Sequence, residues 1–251
     1  MKRILCYGDS NTWGYVSGSH HERFDETKRW TRLLSKYLGE NFEIIEEGLS
    51  GRTLVSEDPR PGKEGKNGFA YLKPCMETHN PFDVIVFMLG TNELKNTFSN
   101  SAESIFEMAQ KHFEFIQKFK FLGNEKSPKL LVSGLPIVNE TTLAPHDLYK
   151  GTAIKSKKLN KLIEDYCKEK NIIYVNNNDL EVGIDGVHLS ENGHKKLAIK
   201  LSSVIKEMCL WLNQKLGNGK LLIKMMPIGT LLHLRFIILQ IIGKTKGLKI
   251  F

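Results

Sequence analysis

Five short runs of β-branched and apolar residues, at about 3–7, 42–46, 83–89, 129–134 and 172–175, alternate with longer segments of helical spacing. This alternation constrains the fold more than any other feature. Strands that are apolar without interruption belong in a sheet covered on both faces. A strand, a helix and a second strand in succession make a right-handed crossover between parallel neighbours. The helical segments are about 26–38, 101–119, 154–169 and 190–212. In the first, Trp30, Leu33, Leu34, Tyr37 and Leu38 share a stripe; in the second, Ile105, Phe106, Met108, Ala109, Phe113 and Ile116 do. The expected fold is therefore α/β, a three-layer α/β/α sandwich around a mostly parallel five-stranded sheet. In such sheets ligands gather at the carboxyl ends of the strands, so the chemistry is sought there. Residues 58–68, rich in Gly and Pro, read as a loop.

The chain of 251 residues is long enough to bury a core without disulfides or metals. No repeat and no low-complexity linker divides it. The strand–helix rhythm ends near 212, which gives one domain over 1–212 and a basic, apolar extension over 213–251. The formal net charge of +8 would suggest a polyanion partner, but residues 217–251 hold six bases (Lys220, Lys224, Arg235, Lys244, Lys246, Lys249) and no acid. The body is near neutral, and no nucleic-acid partner is expected. Residues 225–243 are nearly all apolar but interrupted by Pro227, His233 and Arg235, a poor pattern for a spanning helix. Three readings of this extension stand: a helix docked on the body or on a second subunit, a segment lying in a membrane surface, or a non-native extension. A membrane partner enters only through 217–251. Cys6, Cys75, Cys167 and Cys209 form no C-x-x-C pair and read as reduced thiols. The apolar stretch before Gly8 is too short for the core of a secretory signal, so a cytoplasmic location is expected.

Four polar, glycine-containing clusters stand at the ends of strands or just before the last helix. Gly8-Asp9-Ser10-Asn11-Thr12-Trp13-Gly14 follows the first strand and brings Ser10 to a strand end and a helix start, where backbone N–H groups can stabilise an oxyanion. The alternative is a plain turn with a capping serine. Far away, Asp185-Gly186-Val187-His188-Leu189-Ser190 offers a base for a serine nucleophile and a carboxylate to orient that base. A metal site of Asp185, His188 and His194 lacks a regularly spaced fourth ligand; no metal and no cofactor are expected. Glu47-Gly48-Leu49-Ser50-Gly51-Arg52-Thr53 follows the second strand, and Leu89-Gly90-Thr91-Asn92-Glu93 the third. A strand-end glycine can turn an N–H toward a ligand, and an Asn amide is a known oxyanion donor.

These four blocks, in order over residues 1–212, resemble the SGNH (GDSL) hydrolase family, and Asn11-Thr12-Trp13-Gly14 of the first together with Glu47-Gly48-Leu49-Ser50-Gly51-Arg52-Thr53 of the second is similar to its bacterial arylesterase/acyltransferase branch. The resemblance implies a flavodoxin-like sheet and a serine esterase acting on small-molecule esters. It makes Ser10, Asp185 and His188 the catalytic triad, and gives the oxyanion hole to the Ser10 and Gly51 backbone N–H groups and the Asn92 side chain. One departure is Glu93, where the family usually carries Asp; the extra methylene changes its reach. His194 fits a structural position in the last helix.

Asp9, Asn11, Trp13 and Ser50 are candidates for the substrate pocket. Trp13, with Tyr15, either walls a small acyl pocket or packs the first helix on the sheet. The resemblance implies small acyl groups, hydrolysed or transferred, and admits carbohydrate O-deacetylases, thioesterases, lysophospholipases and homo-oligomers. A module of a different class, binding a carbohydrate or another ligand without turnover, is the competing reading.

Overall fold

A computed structural model describes residues 1–121 and 127–216, with side chains described as far as residue 208. The expected extension over 213–251 lies, past Leu216, outside the described residues, and the side chain of Cys209 is not described. The strands are β1 (Lys2–Gly8), β2 (Phe42–Gly48), β3 (Val84–Met88), β4 (Lys129–Ser133) and β5 (Ile173–Val175), in the order β2-β1-β3-β4-β5. Every pairing is parallel. The helices are α1 (Ser10–Trp13), α2 (Trp30–Leu38), α3 (Gly68–Thr78), α4 (Ala102–Lys118), α5 (Ala153–Glu169) and α6 (Glu191–Leu216).

The crossover from β1 to β2 runs one way across the sheet, and the later ones run the other way. Right-handed connections then put α2 on one face and α3, α4 and α5 on the opposite face. Packing agrees: the Trp30 N–H of α2 meets His194 of α6 at 3.3 Å, while Phe106 of α4 packs edge-on against Tyr166 of α5. With both faces covered, β3 is buried at every position and β1 from Ile4 onward.

Local signals set the ends of the helices. Ser101 caps α4 by accepting the Ser104 N–H at 3.1 Å, and the apolar stripe through Ile105, Ala109, Phe113 and Ile116 is fully buried. The helix expected from residue 26 begins only at Trp30. Asp25 accepts both the N–H and the hydroxyl of Thr27, which builds a turn where the first helical turn would be. Helix α3 is an element that periodicity does not announce: it follows the turn-rich loop directly and contains Pro74. Asn67 starts it by accepting the Ala70 N–H at 3.1 Å.

Register positions the site. Gly8 pairs with Gly48 on one side and with Met88 on the other, so the segments after β1, β2 and β3 emerge together at one edge. The β1/β3 boundary is where the connections reverse direction, the crevice in which doubly wound sheets bind ligands. Helix α1 rests directly on this edge. A Cβ on Gly48 would lie 2.2 Å from the Trp13 nitrogen, so a side chain there would push α1 off the sheet.

Candidate active site

Ser10 opens α1, a single turn between Asp9, whose Oδ1 accepts the Asn11 N–H at 2.9 Å, and Gly14, whose N–H closes on the Ser10 carbonyl at 2.9 Å. The loop before α6 approaches from the far end of the chain. His188 Nε2 lies 2.9 Å from Ser10 Oγ, and His188 Nδ1 lies 2.7 Å from Asp185 Oδ2. Asp185 also orders its own loop, because its Oδ1 accepts the N–H groups of Val187 and His188 at 3.0 and 2.9 Å. Burial opposes its ionisation, but the bonds from the His188 ring and from these two N–H groups outweigh that and hold the carboxyl well below the usual range. The Tyr15 ring covers the imidazole with centroids 4.3 Å apart, and its hydroxyl is tied to the Ser19 carbonyl at 2.8 Å.

On either side of β1 stand the segments after β2 and β3. Gly51 has φ +83°, a left-handed conformation that a side chain would strain. Asn92, almost fully buried, donates from Nδ2 to the Arg52 carbonyl at 2.8 Å, and its Oδ1 accepts from Lys95 Nζ. Arg52 is fastened to the Gly8 carbonyl at 3.0 Å and lies over the Tyr7 ring at 4.3 Å. The Glu93 carboxyl reaches back to accept the Leu54 N–H, a use for its extra methylene. Burial raises the Glu93 carboxyl to about 7 and lowers the Lys95 ammonium to about 8. The 58–68 loop contributes a charge behind the site: Asp58, nearly buried, is paired with Arg60 and has its carboxylate 4.0 Å from Lys95 Nζ.

Ser10, His188 and Asp185 are thus brought together, with Gly51 and Asn92 on the neighbouring strand ends. Two of the four pocket candidates need correction. Asp9 and Asn11 are buried, and their side chains serve the framework. Asp9 caps α1, while Asn11 accepts the Leu189 N–H at 2.8 Å and donates to the Val187 carbonyl at 3.4 Å. Trp13 and Ser50 are half-buried. The Trp13 backbone rests on Gly48, and its ring stays partly open beside Tyr15 with the Arg23 guanidinium 5.3 Å above it. His194 is buried and accepts the Trp30 N–H, and burial lowers its imidazole to about 3, in keeping with a structural position. Two clefts, of about 240 and 620 Å³, lie along the 137–150 loop; the smaller touches Asp185 and Val187, and neither is lined by Ser10.

Lys95 is the residue that sequence reasoning missed. Its signal is weak, since a lysine three residues after Asn92 reads as a solvated charge until its burial is known.

Residues 6–196 match the model of the GDSL-like lipase/acylhydrolase family. The chain belongs to that family. The GDSL-like chain is an ester hydrolase of the SGNH type. It is similar to the solved aryl esterase of M. smegmatis at 32% identity, covering 82% of this chain and 99% of that one with a TM-score of 0.72. It is also similar to Est24, a carbohydrate acetylesterase from Sinorhizobium meliloti, at 30% identity, covering 83% and 100% with a TM-score of 0.74. A lipase/acylhydrolase from Enterococcus faecalis, at 18% identity over 83% of this chain and 97% of that one with a TM-score of 0.60, shares the fold. No curated protein matches the chain.

Proposed function

We propose that this protein is a serine esterase that removes small acyl groups, acetyl foremost, from carboxylic esters through an acyl-Ser10 intermediate. The observation that carries the reading is the unbroken relay from Ser10 Oγ to His188 Nε2 at 2.9 Å and from His188 Nδ1 to Asp185 Oδ2 at 2.7 Å. A serine hydroxyl is a weak nucleophile until a base takes its proton. His188 takes that proton as Ser10 attacks the ester carbonyl, and Asp185, ionised, stabilises the imidazolium that forms. The oxyanion is held by the Ser10 and Gly51 backbone N–H groups and by the Nδ2 hydrogen of Asn92 that is not spent on Arg52. Lys95 strengthens the last donor: its Nζ on Asn92 Oδ1 draws electron density from the amide, so that Nδ2–H carries more positive charge. The alcohol leaves with the proton from His188, and a water activated by the same imidazole releases the acyl group.

The acyl size rests on the likeness to an aryl esterase and a carbohydrate acetylesterase. The likeness to the carbohydrate acetylesterase also favours sugar acetates as the alcohol side. Among the described residues no helix is long and apolar enough to cross a membrane, and any membrane contact is left to 217–251. Free, buried Cys6, Cys75 and Cys167 fit a cytoplasmic location.

The test is hydrolysis of p-nitrophenyl esters from acetate to palmitate, and of acetylated sugars, by wild type and Ser10→Ala. Turnover greatest on acetate and lost in Ser10→Ala is expected. An optimum at long chains would replace the small-acyl reading with the lipid one. A folded protein inert on every ester would turn the assignment toward a ligand-binding module.

A further inference from the structure

Cys75 and His79 take no part in the ester chemistry. They stand four residues apart at the end of α3, a spacing that puts both on one face of the helix. That face meets the carboxyl end of β2, where Glu47 projects. Glu47 Oε1 lies 2.7 Å from His79 Nε2, and the donor atoms of Glu47, Cys75 and His79 all lie within 4.8 Å of one another. Among the described residues this is the group of metal-capable side chains that converges; Asp185, His188 and His194 do not form one.

A thiolate, an imidazole and a carboxylate form the mixed donor set that suits a borderline divalent ion such as Zn²⁺, and they are a poor match for Ca²⁺ or Mg²⁺. Bond lengths of about 2.0–2.3 Å in tetrahedral geometry require donor atoms roughly 3.3–3.8 Å apart. A cluster already within 4.8 Å has to close by only about 1 Å to reach that spacing. Cys75 is fully buried, whereas Glu47 and His79 are half-buried, which leaves an approach from solvent.

We propose that Glu47, Cys75 and His79 form a site for a zinc-class divalent cation, with three protein donors and the fourth position open to solvent. The ion takes the place of the proton now shared between His79 Nε2 and Glu47 Oε1. That imidazole proton moves to Nδ1, the Cys75 thiol gives its proton to water, and one proton is released per ion bound. The Arg52 guanidinium stands 3.6 Å from Glu47 Oε2, fixed by the Gly8 carbonyl and by the Tyr7 ring. It holds the second carboxylate oxygen and leaves Oε1 to the ion, the orienting role of an outer-shell partner. Its charge opposes the cation, and the thiolate and carboxylate together offset both.

The experiment is a Co²⁺ titration of the full chain after chelator dialysis, followed by Zn²⁺ competition. A thiolate-to-cobalt charge-transfer band that saturates at one equivalent and is displaced by Zn²⁺ is expected. Cys75→Ser should abolish the band. His79→Ala should weaken Zn²⁺ binding at least about tenfold, the lower end of what losing even an outer-shell partner costs. It should also remove the rise in melting temperature that Zn²⁺ gives the wild type. No band, a band that survives Cys75→Ser, or unchanged Zn²⁺ affinity in His79→Ala would each overturn the site. Should Cys75→Ser fail to fold, His79→Ala decides the matter, because its side chain lies partly in solvent. All readouts are binding and stability, so they stand or fall separately from the esterase assignment.

Discussion

Asn11 Oδ1 accepts the backbone N–H of Leu189 at 2.8 Å, which ties the residue after the nucleophile to the residue after the base. The second bond, Asn11 Nδ2 to the Val187 carbonyl, brackets His188 from the other side. One side chain in α1 therefore sets the position of a loop 178 residues away relative to Ser10. Asn11→Ala leaves a buried N–H unpaired, which costs about 1–3 kcal/mol. It also frees the loop to drift, and misplacement by about 1 Å can cost 10²-fold in rate. The expected outcome is a folded enzyme with kcat reduced about 10- to 100-fold and KM little changed, read by steady-state kinetics beside urea unfolding. An Asn11→Ala enzyme of full activity would show that the loop holds its place without this bracket.

Asn92→Ala should lower kcat by about 10²–10³, the typical cost of one oxyanion donor. Lys95→Met tests the polarisation behind that donor. It should lower kcat about tenfold or more in a folded enzyme, because the Asn92 amide stays while its activating charge goes. The pH profile separates this from a packing effect. Burial lowers the Lys95 ammonium to about 8, so its charge is lost as pH rises through that value. Wild-type kcat should carry a falling limb near pH 8 that Lys95→Met lacks. Superimposable alkaline limbs would count against the role.

Gly48→Ala should destabilise the protein and depress activity together. A methyl group 2.2 Å from the Trp13 nitrogen meets backbone, which cannot swing aside as a side chain would. Overpacking of this kind costs typically about 1–3 kcal/mol. The shift of α1 needed to relieve it would carry Ser10 away from His188. Differential scanning calorimetry and ester turnover on the same preparation check both effects, and an unchanged melting temperature would sink the argument.

The inner strands were legible as apolar runs in a sheet covered on both faces; the edge strand β2 carries Glu43, Glu46 and Glu47 among Phe42, Ile44 and Ile45. The pattern of strands and helices implied parallel pairing. Helix α3 was hidden by the turn-rich segment ahead of it and by Pro74, and its buried side is short: Leu72, Cys75 and Met76. The first turn expected of α2 was lost to a local competition, Asp25 against helix, that periodicity does not register. At the site, the parallel sheet explains why the segments carrying Ser10, Gly51 and Asn92 stand at strand ends, while the roles expected of Gly51 and Asn92 came from the family resemblance. Asp9 and Asn11 were misread because closeness to Ser10 along the chain does not say which way a side chain points. At a one-turn helix lying on the sheet edge, the capping Asp9 and Asn11 within the helix are both buried. Lys95 was invisible for the same reason: the role proposed for it depends on burial and on a partner, and both are tertiary facts.

Glu93 carries the last prediction, one of stability. Burial raises its carboxyl from 4.5 to about 7, so the folded protein holds this proton more tightly than the unfolded chain does. A group with a raised folded value contributes stability that is fully present below the unfolded value and is lost as pH rises through the folded one. The window for Glu93 is therefore about pH 4.5–7, and the difference amounts to roughly 3 kcal/mol. His112 and His194 work in the opposite sense, since burial lowers them to about 4 and about 3 and they weaken the fold as pH falls below 6.5. The wild-type curve mixes the two effects, and Glu93→Gln separates them. Its carbonyl oxygen can still accept the Leu54 N–H, but it has no proton to lose. Urea unfolding at pH 5 and pH 8 should find Glu93→Gln close to wild type at the lower pH and more stable by about 1–3 kcal/mol at the higher. A variant that tracks wild type at both values would mean that Glu93 ionises in the folded protein at little cost, with Lys95 supplying the compensating charge.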